Sequence, residues 1–281
     1  MLRRMLVAQG IRALPLALRM GTTGNGNIQR FNRYKSTSPT VISTECDIAQ
    51  EMGIVGFIQV WNGPSDIFLH ESMLGMWEEC SKRKMRFAIM LDKWVAANEA
   101  NPTTRDKAVC AALLNVDFQK VLQSPAYIFE KYVLEFDLKL IGVDVPSIQK
   151  LFKFPILSEG IGYSWPNAAS PWPVKTLQFT NALPGMRIPS LCLQFNDAGF
   201  PLPDGVNGPM LTYENKRDMN RSVWGTGANR TIDAQGGNYF FDQIAVTPVA
   251  AKYLMLVTWD DFEEGTALLH FFSMLTGKQV K

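Results

Sequence analysis

The chain has 281 residues, of which 47% are hydrophobic, 11% aromatic and 19% charged. This composition is typical of a globular protein with a large core, and it does not indicate disorder. The 28 basic and 26 acidic side chains leave a formal net charge of +2. A charge so balanced excludes strong electrostatic attraction to nucleic acid or to an anionic membrane, and we expect no nucleic-acid partner.

Cysteine and histidine usage limits the cofactor chemistry. Cys46, Cys80, Cys110 and Cys192 share no C-x-x-C spacing, and the chain has only two histidines. No zinc site can be assembled from such spacings, and we expect buried free thiols rather than disulfides. The sequence implies no metal ion and no organic cofactor.

The basic amino-terminal segment, residues 1–42, has two interpretations. Residues 1–44 contain seven lysines and arginines and no acid, a pattern typical of a mitochondrial transit peptide. The same segment holds the apolar run 13–20, which a barrel would need as its first strand, and we favour that interpretation. Arg12 interrupts the surrounding apolar stretch, so a secretory signal is disfavoured, and localisation stays open. No run of about 18 apolar residues predicts a membrane span.

From residue 43 onward, amphipathic segments alternate with short apolar runs, which indicates repeated βα units. The alternation predicts an α/β fold, a single (β/α)8 TIM barrel over residues 1–281, with a long Gly-, Pro- and Asn-rich loop at 198–230. The predicted strands are 13–20, 54–61, 86–92, 132–138, 155–159, 189–197, a short one near 221–224, and 253–259. The predicted helices are 43–52, 72–85, 105–122, 145–152, 174–182, 237–251 and 266–277.

Acids and tryptophans concentrate at the predicted strand ends, where parallel barrels carry their active sites. Carboxylates beside indole rings suit a sugar site, because acid chemistry cleaves the acetal while flat apolar rings stack on pyranose faces. The alternative is structural: strand-end acids also bind barrel loops, and acids at a helix amino terminus suit its dipole. The residues concerned are Asp92, Glu135, Glu159, Asp197 and the acids of 260–264, with Trp61, Trp94, Trp165 and Trp259.

Residues 257–266 read Val-Thr-Trp-Asp-Asp-Phe-Glu-Glu-Gly-Thr. This stretch resembles the eighth-strand motif of glycoside hydrolase families 71 and 99, in which an aromatic residue, Asn, an acid, two further residues and a Glu end a barrel strand. The resemblance implies that Asp261 and Glu264 are the catalytic pair. An aspartate in the first place is closer to family 71 (α-1,3-glucanases), and the trailing Gly-Thr to family 99 (endo-α-mannanases). The sequence departs from both at Asp260, where Asn is usual, and at Glu263, where Gly or His is usual.

Two other segments are similar to these families. Arg230, followed by Gly-Gly-Asn and Tyr239, resembles the segment before their eighth strand, and residues 54–57 with Trp61 resemble a second strand that ends in a cleft-lining aromatic. The candidate substrate-binding residues are Trp61, Asp92, Trp94, Glu135, Glu159, Trp165, Asp197, Arg230, Tyr239 and Trp259.

These features predict a glycoside hydrolase that cleaves an α-linked polysaccharide or glycan. Glu264 would protonate the departing glycosidic oxygen while Asp261 acts on the other side of the linkage. Two alternatives stay open. One is a carbohydrate-binding or structural barrel without turnover, favoured by Asp260 and Glu263, and the other is a mitochondrial scaffold component, favoured by the basic amino terminus. Substrate, linkage, anomeric outcome and oligomeric state are not predicted.

Overall fold

A computed structural model of the chain describes most of its first half and parts of its second half. The described residues are 2–8, 10–12, 14–19, 36–128, 133–136, 138–154, 156–159, 178–180, 187–192, 195–196, 231–232, 244, 252–257, 259–260, 268–269, 272 and 276–278.

The centre of the fold is a curled, mostly parallel β-sheet. Its strands pair in the order β1-β10-β7-β6-β5-β4-β3-β2, which closes on itself, and β8 and β9 form a separate antiparallel pair. Every pair in the ring is parallel except the two that involve β6. The strands are β1 (Leu14–Arg19), β2 (Gly56–Trp61), β3 (Arg86–Asp92), β4 (Val133–Phe136), β5 (Ile156–Glu159), β6 (Gln178–Thr180), β7 (Arg187–Cys192), β8 (Phe195–Asn196), β9 (Thr231–Ile232) and β10 (Tyr253–Val257).

Helices cover the outside of the sheet, and local sequence sets their ends. Asp66 accepts a hydrogen bond from the backbone of α3, and Gly53 ends α2 in the left-handed conformation, with φ of 84°. Such caps satisfy backbone groups that a helix end leaves without partners. The helices are α1 (Leu2–Ala8), α2 (Pro39–Met52), α3 (Ile67–Lys82), α4 (Pro102–Leu113), α5 (Val116–Leu122) and α6 (Val145–Gln149), with 3-10 helices at Lys93–Val95 and Leu138–Ile141.

The predicted α/β class with parallel strands is confirmed by the sheet, and β3 has the predicted bounds. The segment 13–20 contains β1, which lies between β10 and β2. Cleavage near residues 36–44 would therefore remove a strand from the middle of the parallel part of the sheet. Helix α1 was not predicted, and it packs Leu2 and Leu6 into the core.

Two predicted helices are wrong in part. The predicted helix 105–122 is two helices, because the Asn115 side chain accepts hydrogen bonds from the backbone of Asp117 and Phe118 and starts α5 anew. Within the predicted helix 174–182, the described residues form strand β6, which pairs with β5 and β7. The apolar spacing of 174–182 suits a helix, but the Phe and Thr of β6 are residue types that favour strands.

The strand predicted at 189–197 is also divided, because β7 ends at Cys192 and β8 belongs to the small second sheet. The predicted short strand 221–224 lies outside the described residues, and the ring closes without it because β7 pairs directly with β10. The predicted loop 198–230 also lies outside them. The described residues thus confirm a curled, mostly parallel sheet with helices, and the complete (β/α)8 barrel stays a prediction.

Side chains alternate between the two faces of β2. Trp61 stacks on Phe118 of α5, with ring centroids 5.2 Å apart, so positions 57, 59 and 61 face the helices. Ile58 and Val60 face the inside of the ring, and both are buried. Strand β2 thus presents apolar side chains to the inside of the ring and packs its other face against the helices. In the parts of the chain that are described, no helix is long and apolar enough to cross a membrane.

The close approach of β2 to β3 predicts a strong effect of one small substitution. A Cβ atom at Gly56 would lie 2.1 Å from the backbone oxygen of Arg86, so Gly56→Ala must separate two paired strands. We expect a loss of about 3 kcal/mol in the free energy of unfolding, the upper end for overpacking. Chemical denaturation measures it.

Gly75→Ala is the matched control, because among the described residues its Cβ would meet the terminal methyl group of Ile42, at 2.8 Å, and no backbone atom. Alanine also favours a helix interior over glycine by about 1 kcal/mol, so this variant should be nearly neutral. Equal losses for the two variants would contradict the strand pairing.

Candidate active site

The carboxyl ends of parallel strands meet at one edge of the sheet, so residues that end these strands lie around a common face. Arg19 ends β1, Trp61 ends β2, Asp92 ends β3 and Glu159 ends β5. Asp260 follows β10 by three residues. This face is the candidate active site.

A fully buried arginine ends β1 at this edge of the sheet, with its side chain between the sheet and the helices. Arg19 Nε donates to Glu45 Oε2 at 2.8 Å, and Nη1 donates to Gln59 Oε1 at 2.8 Å and to Ser72 Oγ at 2.5 Å. Its Nη2 donates to the backbone oxygen of Ser36 at 2.7 Å. All of these residues are completely buried. The contacts join β1 to β2, α2 and α3, and to Ser36, which lies three residues before α2.

Register and helix periodicity explain this arrangement. Arg19 pairs with Gln59 across β1 and β2, and both side chains point to the helix side of the sheet. On α2, Glu45 lies in the apolar stripe formed by Ile42, Cys46 and Ala49. A carboxylate in such a stripe is directed against the sheet, where the guanidinium provides its partner.

Asp260 is a second carboxylate near the same guanidinium. Its Oδ2 lies 3.9 Å from Arg19 Nε, and its side chain is completely buried. Burial raises the pKa of Glu45 to about 7, Arg19 opposes that rise, and Asp260 adds to it. Among the described residues, Glu45 Oε1 has no hydrogen-bond partner. Burial is thus the main reason why the Glu45 carboxyl keeps its proton to a higher pH than an exposed glutamate does, and the nearby Asp260 acts in the same direction.

The residue before Asp260 is fixed by packing. The ring of Trp259 is fully buried and meets Phe57 edge-on at 5.4 Å, and Phe272 lies 6.1 Å from it. The backbone N–H of Leu269 donates to the Trp259 oxygen at 2.8 Å. Trp259 and Leu269, the described residues on either side of the segment that carries Asp261 and Glu264, are thus joined by a backbone hydrogen bond.

A second group of candidate residues lies at the end of β3. Asp92 continues the inward-facing positions of Met90, so its side chain points to the inside of the ring, and it is 7% exposed. Its Oδ1 accepts a long hydrogen bond, 3.4 Å, from the backbone of Trp94. The Trp94 side chain is 54% exposed, and Lys93 Nζ lies 6.0 Å from its ring centre. An exposed indole therefore stands beside a nearly buried acid.

Three other candidate residues are buried and have contacts typical of a structural role. Glu135 aligns with Leu91 on the helix side of the sheet, is 2% exposed, and accepts a hydrogen bond from the backbone of Leu138 at 3.2 Å. Trp61 and Trp259 have no exposed surface and pack between sheet and helices. In this conformation, neither indole offers a face to a ligand.

Glu159 is the last residue of β5, opposite Phe179 of β6. The other candidates lie outside the described residues: Trp165, Asp197, Arg230, Tyr239, Asp261 and Glu264. Cys46, Cys80 and Cys110 are free thiols, the first two buried.

Sequence reasoning missed the Arg19, Glu45 and Asp260 cluster, although two signals were present. Arg19 ends an apolar run, and Glu45 interrupts the apolar stripe of an amphipathic helix. A charge in a position that the pattern predicts to be buried needs an opposite charge nearby. Searching for such pairs of misplaced charges would have pointed to these two residues.

Comparison with solved structures reveals a likeness to glycoside hydrolases. The chain superposes on the GH99 endo-alpha-mannosidase from Bacteroides thetaiotaomicron with a TM-score of 0.57 and 14% identity, over 92% of this chain and 87% of that one. The same figures hold for that enzyme in complex with BIS-TRIS-propane. A glycoside hydrolase-like protein gives a TM-score of 0.55 and 10% identity, with the same coverage. The fold is therefore similar to that of GH99 enzymes.

At these identities the likeness concerns the fold alone. No model of a known protein family matches the sequence, and no curated protein matches it significantly.

The buried position of Glu45 predicts a pH dependence of stability. Its folded-state pKa of about 7 lies above the ordinary value of 4.5, so the unfolded chain releases this proton at lower pH than the folded protein. The stabilising contribution is complete below pH 4.5 and is lost as the pH rises through 7. Linkage makes it about 3 kcal/mol in the free energy of unfolding.

Glu45→Gln keeps the shape of the neutral acid and should reduce the fall in stability between pH 4.5 and 8 by that amount. Urea denaturation across this range measures it, with the exposed α3 variant Glu78→Gln as control. Parallel curves for Glu45→Gln and wild type would show that Glu45 does not titrate in this window.

Proposed function

We propose that this protein is a (β/α)8-barrel glycoside hydrolase that cleaves an α-linked polysaccharide or glycan with the carboxylates of Asp261 and Glu264. The observation that carries the proposal is the position of the acidic segment. In the sequence it comes immediately after Trp259 and Asp260, which follow β10 at the carboxyl end of a sheet whose fold resembles that of glycoside hydrolases. Acids at this face are the usual source of chemistry in such barrels.

The proposed roles follow from the chemistry of acetal cleavage. Glu264 donates a proton to the departing glycosidic oxygen, and Asp261 acts from the other side as a base toward water or toward a substrate hydroxyl. Neighbouring carboxylates raise one another's pKa, which helps an acid to keep its proton at working pH. Arg19 lies near Asp260 and offsets part of its negative charge. We therefore expect the repulsion to act mainly between the carboxylates of Asp261, Glu263 and Glu264.

The proposed substrate site extends from this segment toward the end of β3. Trp94 is the described indole with an exposed face, and an aromatic ring of this kind stacks on the apolar face of a pyranose. Asp92 points to the inside of the ring and would accept hydrogen bonds from sugar hydroxyls. Because the similar solved structure is an endo-alpha-mannosidase, α-mannans come first among the substrates to test, followed by α-glucans.

A second candidate function is carbohydrate binding without turnover. It is favoured by Asp260, which stands where the resembling families have Asn and is buried beside Arg19. A protein of this kind would keep the exposed indole and the strand-end acids while hydrolysing nothing. The two functions differ in whether new reducing ends appear.

Removal of either proposed catalytic carboxylate should abolish hydrolysis. Asp261→Asn and Glu264→Gln should each lower kcat by roughly 10²- to 10⁴-fold, the usual contribution of general acid–base catalysis. The appearance of reducing ends on α-mannan, α-glucan and bacterial surface polysaccharides measures it, with circular dichroism to verify folding.

The matched control is Glu78→Gln, which makes the same chemical change on the exposed face of α3 and should leave kcat unchanged. If wild-type protein releases no reducing ends from any of these polymers, the hydrolase proposal fails. Glycan binding without release would support the second candidate instead.

The exposed and buried tryptophans should respond differently to removal. Trp94→Ala should raise KM about tenfold or less, the value of one aromatic stacking contact, with little effect on stability. Trp61→Ala empties a packed site against Phe118 and should cost about 3–5 kcal/mol in the free energy of unfolding. Calorimetry of glycan binding and thermal melts separate these effects. A stable Trp61→Ala protein with weakened binding would overturn the assignment of Trp61 to the core.

A further inference from the structure

Described residues on both sides of the segment that carries the proposed catalytic carboxylates have defined contacts. At its start, Asp260 is buried with its Oδ2 3.9 Å from Arg19 Nε. At its end, Leu269 donates its backbone N–H to the Trp259 oxygen. The first contact joins two charged side chains that are distant in the sequence, and the second is a hydrogen bond between backbone groups.

That side chain is itself held rigidly. The guanidinium donates to Gln59 and Ser72 through one terminal nitrogen and to the Ser36 backbone through the other, while Nε donates to Glu45. A planar guanidinium with fixed acceptors on several sides has little freedom to rotate. Through Arg19, Asp260 is therefore linked to β1, β2, α2 and α3.

We propose that Arg19 is a positioning residue, which holds Asp260 and so sets the place of Asp261 and Glu264 relative to the bound sugar. This inference rests on the proposed function. Arg19 itself acts through Asp260 and not on the substrate. A misplacement of about 1 Å in a catalytic group can lower the rate by roughly 10²-fold, so a loosened anchor should reduce kcat more than KM.

Lysine in place of Arg19 tests this directly. Lysine keeps the positive charge but cannot reproduce the planar set of donors, so Glu45, Gln59, Ser72 and Asp260 would compete for one ammonium. Arg19→Lys should lower kcat by roughly 10- to 100-fold with KM little changed. In the same protein, the backbone amides of residues 261–267 should exchange with deuterium faster than in wild type.

A second arginine provides the matched control. Arg83 bridges α2 and α3, donating to Glu79 at 2.6 Å, Asp47 at 2.5 Å and Ser43 at 2.7 Å. It lies just before β3 begins, at the opposite end of the sheet from Arg19. Arg83→Lys should leave kcat and the exchange of residues 261–267 unchanged, because partly exposed ion pairs contribute little.

Asp260→Asn tests the same anchor with less risk to folding, because the amide keeps the shape and an acceptor oxygen while losing the charge. It should speed exchange of residues 261–267 and lower kcat, by less than Arg19→Lys does. Equal kcat and equal exchange in Asp260→Asn and wild type would overturn the positioning role. So would an Arg19→Lys protein that loses no more kcat than Arg83→Lys.

The exchange measurement separates this inference from the proposed function. If the wild type hydrolyses no glycan, the hydrolase proposal fails, and the positioning of residues 261–267 by Arg19 is then decided by exchange alone. Faster exchange in both Arg19→Lys and Asp260→Asn would support the positioning role of Arg19 even if the protein hydrolyses no glycan. Unchanged exchange in both variants would overturn the positioning role, whether or not the protein is a hydrolase.

Discussion

The buried guanidinium of Arg19 is the interaction on which the carboxyl face of this sheet depends. Burying a charge away from water is costly unless the surrounding groups provide hydrogen bonds or an opposite charge. Removing one partner of such a buried charge typically costs about 3–5 kcal/mol of stability. The cost constrains the surroundings: Glu45, Gln59 and Ser72 must remain within hydrogen-bond reach. One side chain at the end of β1 therefore fixes how α2 and α3 pack against the sheet.

The same constraint reaches the acidic segment after β10. Asp260 joins the cluster from the other side of β1, so the chain enters residues 261–267 from a position that the core has already set. A rigid support under a short acidic segment is what a carboxylate pair needs, because catalysis depends on distances that vary by less than an ångström. The exposed Trp94 and the inward-facing Asp92 lie at the end of another strand of the same sheet, and the proposed active site would extend to them.

Much of the sheet was predictable because its strands are apolar runs bounded by charged or turn residues. Strand β3, between Arg86 and Asp92, is the clearest case, and β2 and β10 follow the same pattern. Helix boundaries were less predictable. The break between α4 and α5 depends on the capping geometry of Asn115, and β6 has a spacing that suits helix and strand alike.

The site was harder to predict than the fold, since a tryptophan at a strand end is equally suited to the core and to a sugar. Which face of the sheet it occupies decides between them, and Trp61 falls on the helix side by its register with Leu91 and its contact with Phe118. Arg19 and Glu45 were missed for a related reason. Hydrophobic patterns assign charged residues to the surface, whereas these two are buried together and are separated by 26 positions in the sequence.

The most direct test of this account is a crystal structure of the wild-type protein with a sulfur-linked α-oligosaccharide, which resists hydrolysis. The account predicts that the carboxyl groups of Asp261 and Glu264 lie on opposite sides of the bound linkage, separated by about 5 Å for a retaining enzyme or about 6.5–9.5 Å for an inverting one. An oligosaccharide bound away from this segment, or either carboxyl group turned out to solvent with the sugar in place, would contradict it.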